Sequence, residues 1–214
     1  MKYSIREIIE KEAEAIRNIP LSNDFSGVVE LIHHHVHELK GKLIISGMGK
    51  VGQIAENIAT TFCSTGTPAI FLHPSEAQHG DLGIIQENDI LLVISNSGKT
   101  REIIELIDLA KILYPSIPVI AITGNENPSF LNKLDYIILT GNPKEVCPLD
   151  LTPTTTTTVM TVIGDILVVM MMEKIKFTAS EYAKRHHSGY LGDKSREQVK
   201  NLRKEPTHGA TAKE

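Results

Sequence analysis

The sequence predicts an α/β domain: a five-stranded parallel sheet between two layers of helices, a three-layer αβα sandwich, preceded by N-terminal helices. Three observations carry this. Five short runs are apolar throughout rather than alternating, which marks strands covered on both faces. Stretches of helical periodicity separate them, as crossovers between parallel strands require. Two strand-to-helix turns are built from glycine and small hydroxyl residues, the composition of backbone that approaches a ligand.

The elements follow in order. Ser4 and Glu7 form a capping box, and Ile5, Ile8, Ile9, Ala13 and Ile16 recur at helical spacing up to Pro20. A second helix is expected over 26–39. It carries His33, His34, His35 and His37, whose adjacent members point in different directions. His33 and His37 share i, i+4 spacing, but a partly solvated helix face is the expectation rather than a metal site. The first strand covers 43–45, and a glycine loop leads into a helix ending near Cys63. Strands follow at 68–72 and 90–94, a helix at 100–113, and a strand at 118–123. A turn at Gly124-Asn125, a short helix at 129–133 and a fifth strand at 136–139 complete the sheet. After an irregular segment at 142–153, the threonines 154–158 open an apolar helix over 155–176. Beyond Gly192 the chain turns polar, and a loose tail is expected. The expected organisation is N-terminal helices over 1–40, the core domain over 41–194 and a tail over 195–214.

Composition narrows the function. The chain has 214 residues, 41% hydrophobic and 22% charged, enough for one domain with a substantial core. A net charge of -4 argues against a nucleic-acid partner. Cys63 and Cys147 have no metal spacing and form no disulfide framework, which fits the cytoplasm. The N-terminus lacks a signal-peptide core, and the apolar run 159–172 is short for a membrane span and holds Asp165, so no membrane is expected.

The most telling stretch is 90–107. An apolar strand runs into Ser95, Asn96, Ser97, Gly98 and Thr100, and a helix begins at once. Three hydroxyls, a glycine and the unpaired N–H groups of a helix start make an anion cradle, most simply for phosphate. The plainer reading is a Ser/Thr helix cap.

Gly47, Gly49 and Gly52 form a G-x-G-x-x-G, which alone reads as a dinucleotide fingerprint. That fingerprint requires an acidic residue ending the second strand, and here the strand ends at His73-Pro74. Lys50 also lies inside the loop, aimed at any ligand. Ligands bind at the carboxyl ends of parallel strands, so the first and third loops converge. A lysine opposite a phosphate loop suits a phosphorylated sugar better than a nicotinamide. No cofactor is expected.

Gly47-Met48-Gly49-Lys50, Ser64-Thr65-Gly66-Thr67-Pro68, His79-Gly80-Asp81-Leu82-Gly83 and Ile94-Ser95-Asn96-Ser97-Gly98 together resemble the sugar isomerase (SIS) domain, a flavodoxin-like fold. Residues 144–149, Leu151-Thr152-Pro153-Thr154, Phe177-Thr178-Ala179, His186 and Leu191-Gly192 narrow the resemblance to the arabinose 5-phosphate isomerases of Kdo biosynthesis, across residues 41–192. The resemblance implies interconversion of D-ribulose 5-phosphate and D-arabinose 5-phosphate without a redox cofactor. It implies Lys50, Glu102, Glu145 and His186 as the catalytic set. Gly49, Gly66, Thr67, His79 and the 95–100 loop are implied as substrate contacts, in a homotetramer whose active sites are shared between subunits. Many members add two CBS modules. This sequence ends about twenty residues after Gly192, and a chain without them is expected. Lys99 and Arg101 add positive charge where the family more often has small or acidic residues. His187 follows His186 directly, and counting back from Leu191-Gly192 favours His186.

The chemistry needs a base for a carbon acid and stabilisation of an enediolate. Glu102 or Glu145 is expected as the base, with burial raising its pKa, His186 moves protons at the sugar oxygens, and Lys50 faces the enediolate or phosphate. Each has a plainer alternative. Glu102 suits the helix dipole at a first turn, Lys50 suits a solvated loop, and His186 suits a surface run of basic residues. Glu145 lies in a Pro-flanked loop with no expected helical role. His73 is a place for an adventitious metal ion only. Competing readings are another SIS isomerase acting on hexulose or amino-sugar phosphates, a non-catalytic sugar-phosphate sensor, and a dinucleotide-dependent dehydrogenase.

Overall fold

A computed structural model of the protein describes residues 3–202. The sheet has strands β1 (Leu43–Gly47), β2 (Ala69–Phe71), β3 (Ile90–Ile94), β4 (Val119–Thr123) and β5 (Tyr136–Leu139), all parallel, in the order β2-β1-β3-β4-β5. The central strands β1, β3 and β4 are buried along their whole length, which is why their sequences do not alternate. All five expected strands are present; β2 is shorter than the 68–72 expected.

Helices α1 (Ile5–Arg17), α2 (Phe25–Ile32), α3 (Lys50–Ser64) and α6 (Thr155–Lys174) share one core with one face of the sheet. Helix α5 (Arg101–Leu113) and the short α4 (Pro74–Ala77) cover the other. Gly47 and Gly52 explain themselves here. A Cβ on Gly52 would stand 2.7 Å from the Gly47 carbonyl oxygen, so the glycines let α3 sit tightly on β1. Helix α6 is apolar nearly all round and is long and apolar enough to cross a membrane by length and composition. Half of that stretch is buried in the core, against α1, α2 and α3.

Three local expectations change. The histidine run is not α-helical: residues His33–Glu38 form a π-helical turn, with the Leu39 N–H donating to the His34 carbonyl at 3.0 Å. The histidines divide among three sets of neighbours there. His33 and His34 meet Glu38, His35 meets the Asn88 carbonyl, and His37 Nε2 lies 3.1 Å from Thr67 Oγ1. Among the described residues no group of three metal-ligating side chains is present. The short helix expected at 129–133 is a 3₁₀ turn, Leu131–Lys133. Finally, the chain beyond Gly192 is ordered as α8 (Gly189–Leu202), packed on α7 (Ala179–Arg185). Ser195 is buried, and Arg196 reaches Asp193 and the carbonyls of His186 and His187, contacts that its polar composition did not announce. The rest of the expected tail lies outside the described residues.

Candidate functional site

The strand order reverses between β1 and β3, and loops that follow these two strands therefore diverge and leave a crevice. Gly47 pairs in register with Ile94, so the Gly49-Lys50 turn and the Ser95–Thr100 turn are neighbours there. Both turns open helices, and neither helix is capped by a side chain. Gly49 stands at the cap of α3 with φ of 63°, and Thr100 stands at the cap of α5. The Thr100 hydroxyl does not turn back on the helix. It pairs with Ser95 Oγ at 2.9 Å, so the side-chain cap of the plainer reading is absent and the first N–H groups of α5 stay available. Ser95 is almost fully buried, and Gly98 holds φ of 63° with Pro128 beneath it. Two uncapped helix termini and a fixed hydroxyl pair beside a lysine are groups whose chemistry suits an anion, and the turn is the candidate anion cradle. Lys50 itself is exposed and occupies the first position of α3. A cation there opposes the helix dipole, a local cost of roughly 0.3–1 kcal/mol, which marks the position as serving something other than stability.

Glu102 lies half-buried in the first turn of α5, beside the same cradle. Arg101 points elsewhere. It pairs with Glu105 at 2.6 Å, and Glu105 also accepts from Gln78 at 2.7 Å, which ties α5 to the loop bearing His79. His79 is exposed, next to Gly80 at φ of 123°. His73, two residues beyond β2 at the cap of α4, has its Nδ1 buried and without a hydrogen-bond partner. Asn96 Oδ1 is likewise buried and unpartnered.

Glu145 differs from expectation. It has a helical role: its carboxylate caps α6, accepting from the Thr154 N–H at 2.7 Å, Thr154 Oγ1 at 3.0 Å, the Thr156 N–H at 3.3 Å and the Thr156 hydroxyl. Burial works to raise its pKa, but the bonds from Thr156 and Thr154 outweigh it and hold the carboxyl below the usual carboxylate range. The segment is braced further, since Thr155 Oγ1 accepts from the Val146 N–H and donates to Glu12 on α1. Nearby, Cys147 Sγ accepts N–H bonds from Leu151 and Thr152, which lower its pKa to about 7.

Gly66, Thr67 and His186 lie at the other end of the molecule. Gly66 and Thr67 precede β2, at the amino edge of the sheet. Phe177 packs on Gly66, Tyr182 meets Phe177 edge to face, and the His186 ring stacks on Tyr182 with centroids 3.8 Å apart. The 20-residue α6, about 30 Å long, runs between Glu145 and this cluster. Thr67 is fully buried with its hydroxyl against His37, so its side chain presents nothing to solvent. His187 is exposed, whereas His186 is half-buried. One chain therefore gathers Lys50, Glu102 and the 95–100 loop at the carboxyl edge and holds His186 with Gly66 at the amino edge.

The SIS domain family model matches residues 38–170. The chain belongs to the SIS domain family. Among curated proteins of the family, arabinose 5-phosphate isomerase KdsD of Shigella flexneri is 46% identical over 155 residues, 72% of this chain and 47% of that protein. KdsD of Francisella tularensis is 40% identical over 198 residues, 92% of this chain and 60% of that protein. The chain thus spans about half the length of the curated relatives it matches. Among solved SIS structures, a Bacteroides fragilis protein provisionally described as a phosphosugar isomerase involved in capsule formation is 62% identical. Its TM-score is 0.85, covering 87% of this chain and 97% of that one. An Escherichia coli protein in complex with arabinose 5-phosphate is 32% identical with a TM-score of 0.76, covering 85% and 95%.

Sequence reading missed the residues that brace the candidate site residues: Thr156 bonded to Glu145, Glu12 bonded to Thr155, and Asn125 bonded to the 95–100 loop. The threonine run and the Gly124-Asn125 turn were the visible traces.

Proposed function

We propose that this SIS chain is an aldose–ketose isomerase that interconverts D-ribulose 5-phosphate and D-arabinose 5-phosphate through an enediol. The observation that carries the reading is the diverted Thr100 hydroxyl, which leaves α5 uncapped and pairs with Ser95 at the switch point beside Lys50. That cradle takes the phosphate dianion. The pentose follows from the names of the curated relatives and from the solved structure that holds arabinose 5-phosphate.

In this scheme Lys50 stabilises the enediolate. Glu102 is the base that moves the proton between C1 and C2, and His186 moves protons at the sugar oxygens. His79 and Gly66 contact the sugar. Glu145 acts as the α6 cap rather than as the base, since a carboxylate held below its usual range is a weak base at neutral pH. No redox cofactor has a role in the reaction.

Separation of His186 from Lys50 within one chain supports a site completed by a second copy, as in a homotetramer with shared active sites. Exposed apolar side chains on α1 and α6 support association: Ile5 is 76% exposed, Ile9 60% and Val169 54%. The product serves Kdo formation for lipopolysaccharide or capsule, in keeping with the capsule-related Bacteroides neighbour. A cytoplasmic location fits Cys63 and Cys147, both free thiols.

The test mixes two dead variants, Lys50→Ala and His186→Ala, after mild dissociation and reassociation. Recovered turnover of ribulose 5-phosphate, approaching roughly a quarter of wild type, is expected from mixed sites in a symmetric assembly. No recovery, with each variant folded and reassociated, contradicts the shared site.

A further inference from the structure

Three successive carbonyls of the phosphate loop point away from the cradle, toward the turn after β4. The Asn96 carbonyl accepts from the Gly124 N–H at 3.1 Å and the Thr123 hydroxyl at 3.3 Å. The Ser97 carbonyl accepts from Asn125 Nδ2 at 2.8 Å, and the Gly98 carbonyl accepts from the Ser129 N–H at 3.0 Å. Across a trans peptide the carbonyl of one residue and the N–H of the next point in opposite directions. Anchoring the Asn96 carbonyl on the β4 side therefore turns the Ser97 N–H toward the cradle. The Asn125 side chain is itself held, because its Oδ1 accepts from the Asn127 N–H at 2.9 Å, while its backbone N–H donates to Thr123 Oγ1 at 3.1 Å. An amide held at both ends has one orientation, with its NH₂ aimed at Ser97.

We propose that Asn125 is a positioning residue of this enzyme: it fixes the backbone of the Ser95–Thr100 loop in its phosphate-binding shape without touching the substrate. Pro128 completes the brace. A Cβ on Gly98 would come within 2.5 Å of Pro128 Cβ, so the loop is seated on the β4 turn at both Ser97 and Gly98. The proposal rests on the phosphate reading of that loop.

The experiment measures ribulose 5-phosphate turnover and its competition by inorganic phosphate for wild type, Asn125→Ala and Asn125→Ser. Serine keeps a turn-forming acceptor but cannot reach the Ser97 carbonyl. Both variants are expected to raise KM and the phosphate inhibition constant together, about fivefold, the worth of one lost neutral hydrogen bond. Their kcat stays within about twofold of wild type, because Asn125 bonds to the Ser97 carbonyl and to none of the reacting groups. Unchanged KM and phosphate inhibition in both variants would overturn the proposal while leaving the phosphate reading intact. Loss of kcat with unchanged phosphate inhibition would overturn it too, as would rescue of KM by serine alone. Absence of phosphate competition in the wild type would overturn the phosphate reading, and this proposal with it.

Discussion

Replacing Glu145 with alanine should destabilise the protein measurably, apart from any effect on turnover. The carboxylate accepts two N–H and two hydroxyl bonds at the start of α6. Alanine leaves the Thr154 and Thr156 amides without their acceptor, and Thr156 is almost fully buried. Loss of a helix cap costs about 0.5–2 kcal/mol. A stranded buried donor adds roughly 1–3 kcal/mol. The carboxylate is only half-buried, so water recovers part of this, and a loss of about 2–3 kcal/mol is expected overall. For a chain of this size that lowers Tm by roughly 4–12 °C. Glu145→Gln, which keeps an acceptor oxygen of the same reach, should lose less than half as much. Calorimetry at fixed protein concentration measures both, since association shifts Tm by mass action. A Tm of Glu145→Ala within about 2 °C of wild type would refute the capping role and return Glu145 to the list of candidate bases.

Lys50→Ala should abolish turnover while leaving Tm unchanged or slightly raised, because a cation opposing the α3 dipole is removed; retained turnover removes Lys50 from the mechanism. Cys147 should react with iodoacetamide with a half-maximal rate near pH 7, set by the N–H bonds from Leu151 and Thr152; mass spectrometry showing a midpoint above about pH 8 contradicts this. Burial first, then the charges of His33 and Lys40, lower the His37 pKa. The folded protein therefore binds this proton less readily than the unfolded chain, and the associated stability is present above about pH 6.5 and lost as pH falls below it. Urea midpoints between about pH 7.5 and 5.5 should fall more steeply for wild type than for His37→Gln; equal slopes would show that His37 carries none of the dependence.

The apolar central strands were readable because burial on both faces erases alternation, and 90–94 matched to the residue. Gly47 and Gly52 were readable as important but not for the right reason alone: tight packing of α3 on β1 demands them whatever the ligand. The strand-turn-helix that carries the candidate cradle was legible because it is local, with residues 95–100 between a strand and a helix. Glu145 was not. Its partners lie nine to eleven residues on, across an irregular segment whose path no periodicity encodes. The backbone of the histidine run was not legible, since His33 and His34 share Glu38, His35 and His37 meet residues distant in sequence, and the segment takes a π turn. His186 was placed by resemblance, and only the tertiary structure shows it stacked on Tyr182 at the opposite edge from Lys50.

The measurement that tests the central claim most directly is incubation of the protein with D-ribulose 5-phosphate in heavy water, followed by NMR. The account predicts D-arabinose 5-phosphate carrying deuterium at C2, and no such product from Lys50→Ala. Ribulose 5-phosphate returned unchanged and undeuterated by the folded, associated wild type would contradict it.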